Sequence, residues 1–151
     1  MPNKTIIKRK PNQNPIASDR LKTQYERLED VVVIRFQGEL DLYSAFGFSR
    51  ALDKVRDLQV TRFLFDLSEL TYVDSSGMGL LVRTNQEMKE QKGQFLCILP
   101  SNVAVKRILS QHWLRMIVPF VENHDEALVK LGFAEGEAQE ADSAEDGVEE
   151  S

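Results

Sequence analysis

The chain has 151 residues, the length of one domain, and 24 acids against 19 bases make it modestly acidic. The excess lies at one end. Residues 134–151 carry eight acids and no base, residues 1–18 carry four bases and no acid, and the stretch between holds 16 acids and 15 bases. Net charge therefore argues for no particular partner of the folded part. No run approaches the roughly 18 apolar residues of a bilayer span, and the single cysteine, Cys97, excludes an internal disulfide.

The head, MPNKTIIKRKPNQNPIAS, is rich in Pro, Asn and Lys and has no periodic apolar face. Four charges without an aromatic partner do not make a nucleic-acid arm. No apolar stretch of signal-peptide length follows the basic N-terminus, so a cytoplasmic location without membrane insertion is expected. Residues 31–37, VVVIRFQ, are β-branched and aromatic and stop at Gly38, which predicts a strand. A weaker strand over 22–28 precedes it, with Glu29 and Asp30 as a tight turn.

Residues 43–58 place Phe48, Leu52, Val55 and Leu58 at helical spacing, with Arg50, Asp53, Lys54 and Asp57 on other faces. Residues 60–67, VTRFLFDL, are apolar on both faces, as a central strand requires. After SELTYV comes a helix over 74–93, where Met78, Leu81, Val82 and Met88 form the apolar face and Gly93 closes it. Residues 94–99, QFLCIL, predict a buried strand stopped by Pro100, with Cys97 as a small hydrophobe within it.

Residues 101–113 read as a helix with Val105, Ile108 and Leu109 inward. Residues 115–120, RMIVPF, read as a last strand, at an edge because Pro119 has no N–H to donate. A final helix follows Asn123 as cap, with Glu126 three residues on. Ala127, Leu128 and Leu131 form its apolar face. The tail, AEGEAQEADSAEDGVEES, has almost nothing to bury.

Strands alternating with helices predict an α/β fold: a mixed, mostly parallel central sheet of about five strands with about four helices, opened by an antiparallel pair. The expected organisation is a disordered basic head over 1–21, one domain over 22–133 and a disordered acidic tail over 134–151.

The chemistry of an enzyme is hard to assemble from this chain. His112 and His124 fall near element ends, outside any metal-ligand spacing. No Gly-x-Ser-x-Gly elbow surrounds Ser75 or Ser76, since Val73 and Asp74 stand where its first glycine belongs. No Gly-Lys-Ser or Gly-Lys-Thr exists, and Gly77 and Gly79 lack the third glycine of a dinucleotide loop, Val82 standing there. The chain is read as a non-enzyme without cofactor or metal, a small nucleotide-binding protein being the alternative that equilibrium dialysis with labelled ATP tests.

One stretch resists a purely structural reading: LTYVDSSGMGLL, residues 70–81. Asp74 or Ser75 can cap a helix starting near Ser76, because a side-chain oxygen there accepts a free backbone N–H. Gly77 and Gly79 are odd for a cap alone, each lowering helix propensity by up to ~1 kcal/mol against Ala. Glycine there suits a close approach by something else, and a helix start favours negative charge. Spacing alone leaves a plain cap and a regulatory phosphosite both open. GELD at 38–41 closes a strand and opens a helix, with Asp41 as its cap. Strand C-termini line one edge of a parallel sheet, so Asp41, Asp74 and Ser75 are expected on one small polar surface.

GELD at 38–41, FDLSELTYVDSSGMGLL at 65–81 and AVKRILSQHWLRMIVPF at 104–120 resemble the STAS-domain family, and within it the bacterial anti-sigma factor antagonists. The order and spacing agree over residues 22–133, and the D-S-S-G-x-G core is the specific part. The resemblance implies a partner switch. Ser75 is the position that a serine-kinase anti-sigma factor phosphorylates, and a metal-dependent serine phosphatase resets it. Unphosphorylated, such a protein binds the kinase and frees a sigma factor; phosphorylated, it lets go. Asp41, Asp74, Ser76, Gly77 and Met78 fall around the acceptor as partner-binding positions. Family members also serve as STAS subunits of lipid or anion transport complexes, often without the acceptor serine, and this is the alternative function. The head and the tail lie outside the family pattern.

Overall fold

The computed structural model describes residues 20–56 and 60–133. Residues 1–19 of the expected head, the expected tail, Asp57 and Leu58 lie outside them, as do the side chains of Lys54 and Val55, whereas Leu21, expected in the head, is buried and opens the first strand. Strands β1 (Leu21–Leu28) and β2 (Val31–Leu40) form an antiparallel hairpin around Glu29 and Asp30, with Glu29 at positive φ. Helix α1 (Leu42–Arg56), strand β3 (Arg62–Val73), helix α2 (Ser75–Glu90) and strand β4 (Gln94–Ile98) follow. The chain ends with α3 (Val103–Leu109), α4 (His112–Ile117), β5 (Phe120–Val121) and α5 (His124–Lys130). The five strands lie in sequence order, and every pairing after the first is parallel.

Helices α1 to α4 contribute to one core, and α5 contributes to a second. In the first, Phe36, Phe48, Phe65 and Phe95 stack in a chain of rings 4.7 to 5.4 Å apart, tilted or edge-on. Phe48 and Leu52 of α1, Leu81 and Met88 of α2, and Val105 and Leu109 of α3 are buried as their spacing predicts, while Met78, Val82 and Ile108 are half-buried at the margin. Cys97 is fully buried, and the apolar surround pushes its thiol pKa up. In the second core, Ala127 and Leu131 pack with Val31, Val33, Leu64, Leu96, Ile98 and Val121. Arg62 pins this end by donating to Asp30 and to the carbonyl of Leu131.

Three segments differ from expectation. Strand β3 does not stop at Leu67 but continues to Val73, because its register against β2 slips twice. Arg35 faces Asp66 but Gln37 faces Glu69, and Gly38 faces Leu70 but Glu39 faces Tyr72. Each slip adds a residue to β3, and the inward positions become Leu67, Leu70 and Val73. Two bulges thus hide a strand behind a spacing of three. Residues 115–120 are also not a strand as expected. Arg115, Met116 and Ile117 belong to α4, and only Phe120 and Val121 pair, with Cys97 and Ile98. The predicted helix over 101–113 divides into α3 and α4, which makes five helices among the described residues. Pro119 does stand beside an edge strand, where its carbonyl accepts the Cys97 N–H.

Strand β3 carries one ionised group into the sheet. The Asp66 side chain is buried and accepts from Nε of Arg35 (3.3 Å) and the N–H of Ser68 (3.0 Å), while Nε2 of His124 lies 2.8 Å away. Burial pushes its carboxyl up, but the bonds to His124 and Ser68 outweigh that and hold it well below the ordinary range. A depressed carboxylate pKa adds stability above the unfolded value and loses it as pH falls toward the folded value. Asp66→Asn is therefore expected to cost about 1.5–3 kcal/mol at pH 7, the range for a hydrogen bond to a charged group. The gap from wild type narrows below about pH 4, as urea titrations at pH 7, 5 and 3 would read out.

Candidate functional site

The parallel pairing of β2 and β3 ends at Leu40 opposite Val73, and the next residues are Asp41 and Asp74. Two helices therefore start side by side at the C-terminal edge of the sheet. The Asp74 N–H reaches the Leu40 carbonyl at 3.4 Å and ties the two exits together.

Both starts are capped by aspartate. Asp74 Oδ1 accepts from the N–H groups of Ser76 (3.0 Å) and Gly77 (3.3 Å), and the Asp74 carbonyl accepts from Met78 (3.0 Å). Asp41 forms a reciprocal capping box with Ser44. The Ser44 N–H donates to Asp41 Oδ1 at 3.0 Å, and the Asp41 N–H donates to Ser44 Oγ at 2.9 Å. Ser44 Oγ donates onward to the Glu39 carbonyl at 2.9 Å. Arg20 closes the cluster with a 2.8 Å ion pair to Asp41 Oδ2. The Ser44 N–H, with Arg20 beside it, holds the Asp41 carboxyl below its ordinary pKa against the opposing effect of burial.

Asp41, Asp74 and Ser75 thus come to one edge of the sheet, but not to one surface. Ser75 is the first residue of α2 and is exposed, and among the described residues no side chain hydrogen-bonds its hydroxyl. Asp74, Ser76 and Met78 are half-buried beside it. Asp41 is buried behind Arg20 and Ser44, so it fixes α1 rather than facing outward.

The two glycines part company. A Cβ on Gly77 would lie 2.7 Å from Val73 Cγ2 and 2.8 Å from the Leu40 carbonyl oxygen, so Gly77 lets α2 press onto the strand ends. A Cβ on Gly79 would meet nothing within 4 Å. The close approach expected at both is internal at Gly77, and among the described residues no neighbour requires glycine at 79.

Among the described residues no three His, Cys, Asp or Glu side chains are placed to hold a metal, and no helix is long and apolar enough to cross a membrane. His112 is exposed. The Asp66–His124 contact was missed from sequence; its one signal was an acid inside the apolar run FLFDL.

The STAS domain family matches residues 22–127, spanning both capped helix starts and the sheet that sets them side by side. The chain belongs to the STAS domain family. This STAS chain is 28% identical over 112 residues to the anti-sigma F factor antagonist of Paenibacillus polymyxa, a match that covers 74% of this chain and 95% of that one. The crystal structure of an anti-sigma factor antagonist from Mycobacterium paratuberculosis superposes with a TM-score of 0.63 at 22% identity, covering 76% of this chain and 97% of that one. The anti-sigma factor antagonist SpoIIAA in its unphosphorylated form superposes with a TM-score of 0.55 at 22% identity, over 72% and 96% of the two chains. At these identities the structures establish the shared STAS fold.

The caps and glycines of this STAS domain make separable contributions. Asp74→Ala should cost about 1 kcal/mol, as a lost N-cap does. Gly77→Ala should destabilise through its clash, whereas Gly79→Ala should stabilise by about 0.5–1 kcal/mol through helix propensity. Urea midpoints of the three variants check the ordering.

Proposed function

We propose that this protein is an anti-sigma factor antagonist whose binding is switched at Ser75. Unphosphorylated, it binds a serine-kinase anti-sigma factor and frees the sigma factor that the kinase holds. Phosphorylation of Ser75 by that kinase ends the binding, and a metal-dependent serine phosphatase restores it. Asp74, Ser76 and Met78 form the rim of the contact, while Asp41 and Gly77 serve it by holding α1 and α2 in place.

The observation that carries this reading is that Asp74 already occupies three N–H groups at the start of α2. The N–H groups of Ser76 and Gly77 are already taken by its carboxylate, and that of Met78 by its carbonyl. A phosphate on Ser75 finds few free donors in the helix to draw it in. Its charge of roughly −1.5 to −2 stays on the surface, beside the Asp74 carboxylate. The fold has little reason to respond. A partner covering Ser75 must either desolvate that charge or leave.

Baits of wild type, Ser75→Ala and Ser75→Asp in a lysate of the native organism test the reading, with mass spectrometry of what each retains. Wild type and Ser75→Ala are expected to retain an ATP-binding serine kinase that Ser75→Asp does not. Retention of one partner by all three, or of membrane-transport subunits, would reduce Ser75 to a helix residue and favour the transport-subunit alternative.

A further inference from the structure

Helix α1 carries apolar residues on two sides. Ala45, Phe48 and Leu52 face the core. Leu42, Tyr43 and Phe46 face solvent and are 59%, 70% and 61% exposed. Leu42 and Phe46 are four residues apart and Tyr43 and Phe46 three, so the three share one stripe of the helix surface. Arg50, one further turn along, lies with its guanidinium 6.0 Å from the Phe46 ring centroid and extends the stripe. Single exposed hydrophobes need no explanation, but two aromatics, a leucine and a stacked arginine in one stripe have the composition of an interface centre.

We infer that this stripe on α1 is the apolar half of the surface that binds the anti-sigma factor, with Ser75 at its edge. The inference rests on the Ser75 switch and names the residues that supply its affinity. Position commits the stripe to that partner. The stripe begins two residues after Leu40, and Leu40 is paired with Val73, two residues before Ser75. Neighbouring strands lie about 4.8 Å apart and packed helices about 8–10 Å apart. A standard protein interface covers about 800 Å² on each partner, a patch about 30 Å across. A protein bound over Ser75 therefore reaches the first two turns of α1 as well.

The division of labour follows from chemistry. Tyr43 and Phe46 bury large areas at small cost in side-chain entropy, as interface anchors do. The α2 side offers the partner a serine, a half-buried methionine and the open flank of Gly79. A phosphate there opposes the fit while the anchors on α1 stay unchanged.

The test uses full-length protein and the kinase recovered with the Ser75→Ala bait, purified and titrated by calorimetry. The four forms are wild type, Tyr43→Ala/Phe46→Ala, Leu42→Ser and Ser75→Asp, each first checked by urea unfolding for an intact fold. The expected result is a loss of about tenfold or more for the double variant, a smaller loss for Leu42→Ser, and abolished binding for Ser75→Asp. Unchanged affinity in both α1 variants, with Ser75→Asp still abolishing binding, overturns the stripe and leaves the switch standing. Unchanged affinity in all three overturns the switch itself. Light scattering covers the other occupant: a wild-type dimer that the double variant splits, at unchanged kinase affinity, would assign the stripe to self-association and also overturn the inference.

Discussion

The parallel pairing of β2 with β3 governs this molecule, because where it ends decides where two helices begin. Two bulges on β3 lengthen that strand until Val73 draws level with Leu40. Each strand then passes into an aspartate that caps the next helix, and the Asp74 N–H ties the second exit to the first at Leu40. Without the bulges, α2 would start lower on the sheet and Ser75 would not stand beside α1. Gly77 completes the arrangement, since any side chain there would push α2 off the strand ends.

That geometry bears on the switch proposed at Ser75. Helix starts attract anions because their N–H groups are unpaired. Here the Asp74 carboxylate already accepts from the N–H groups of Ser76 and Gly77. The charged cluster of Asp66, Arg35 and His124 lies lower on the same two strands and works by another logic, tying α5 to the sheet through a buried carboxylate. Asp74 serves both ends, since it caps α2 and stands beside Ser75, whereas the exposed Ser75 side chain itself carries no part of the core.

Most of the architecture was legible in the sequence because its signals are local. The β-branched runs, the helical spacing of Phe48 and Leu52, and the Asn123 cap each arise from a few neighbouring residues. The failures are non-local. SELTYV reads as a connection because bulges against β2 replace the alternation of a strand with steps of three. The segment RMIVPF has strand composition but continues α4, with Asn85 of α2 donating to the Ile117 carbonyl. At the site, the placing of Asp41, Asp74 and Ser75 at one end of the β2–β3 pair followed from the parallel-sheet rule. The inward turn of Asp41 did not, because it depends on Arg20, 21 residues away. Nor did the opposite roles of Gly77 and Gly79, which only packing distinguishes.

The central claim is that phosphate on Ser75 acts on the partner and not on the fold. Stoichiometrically phosphorylated protein, compared with unmodified protein in urea unfolding and in titration of the purified anti-sigma factor, tests it most directly. The account predicts unfolding midpoints that coincide within error and an affinity at least about 100-fold weaker for the phosphorylated form, roughly 2.7 kcal/mol at the interface. A phosphorylated form that binds as well as the unmodified protein, or that loses binding only because it unfolds at lower urea, would contradict it.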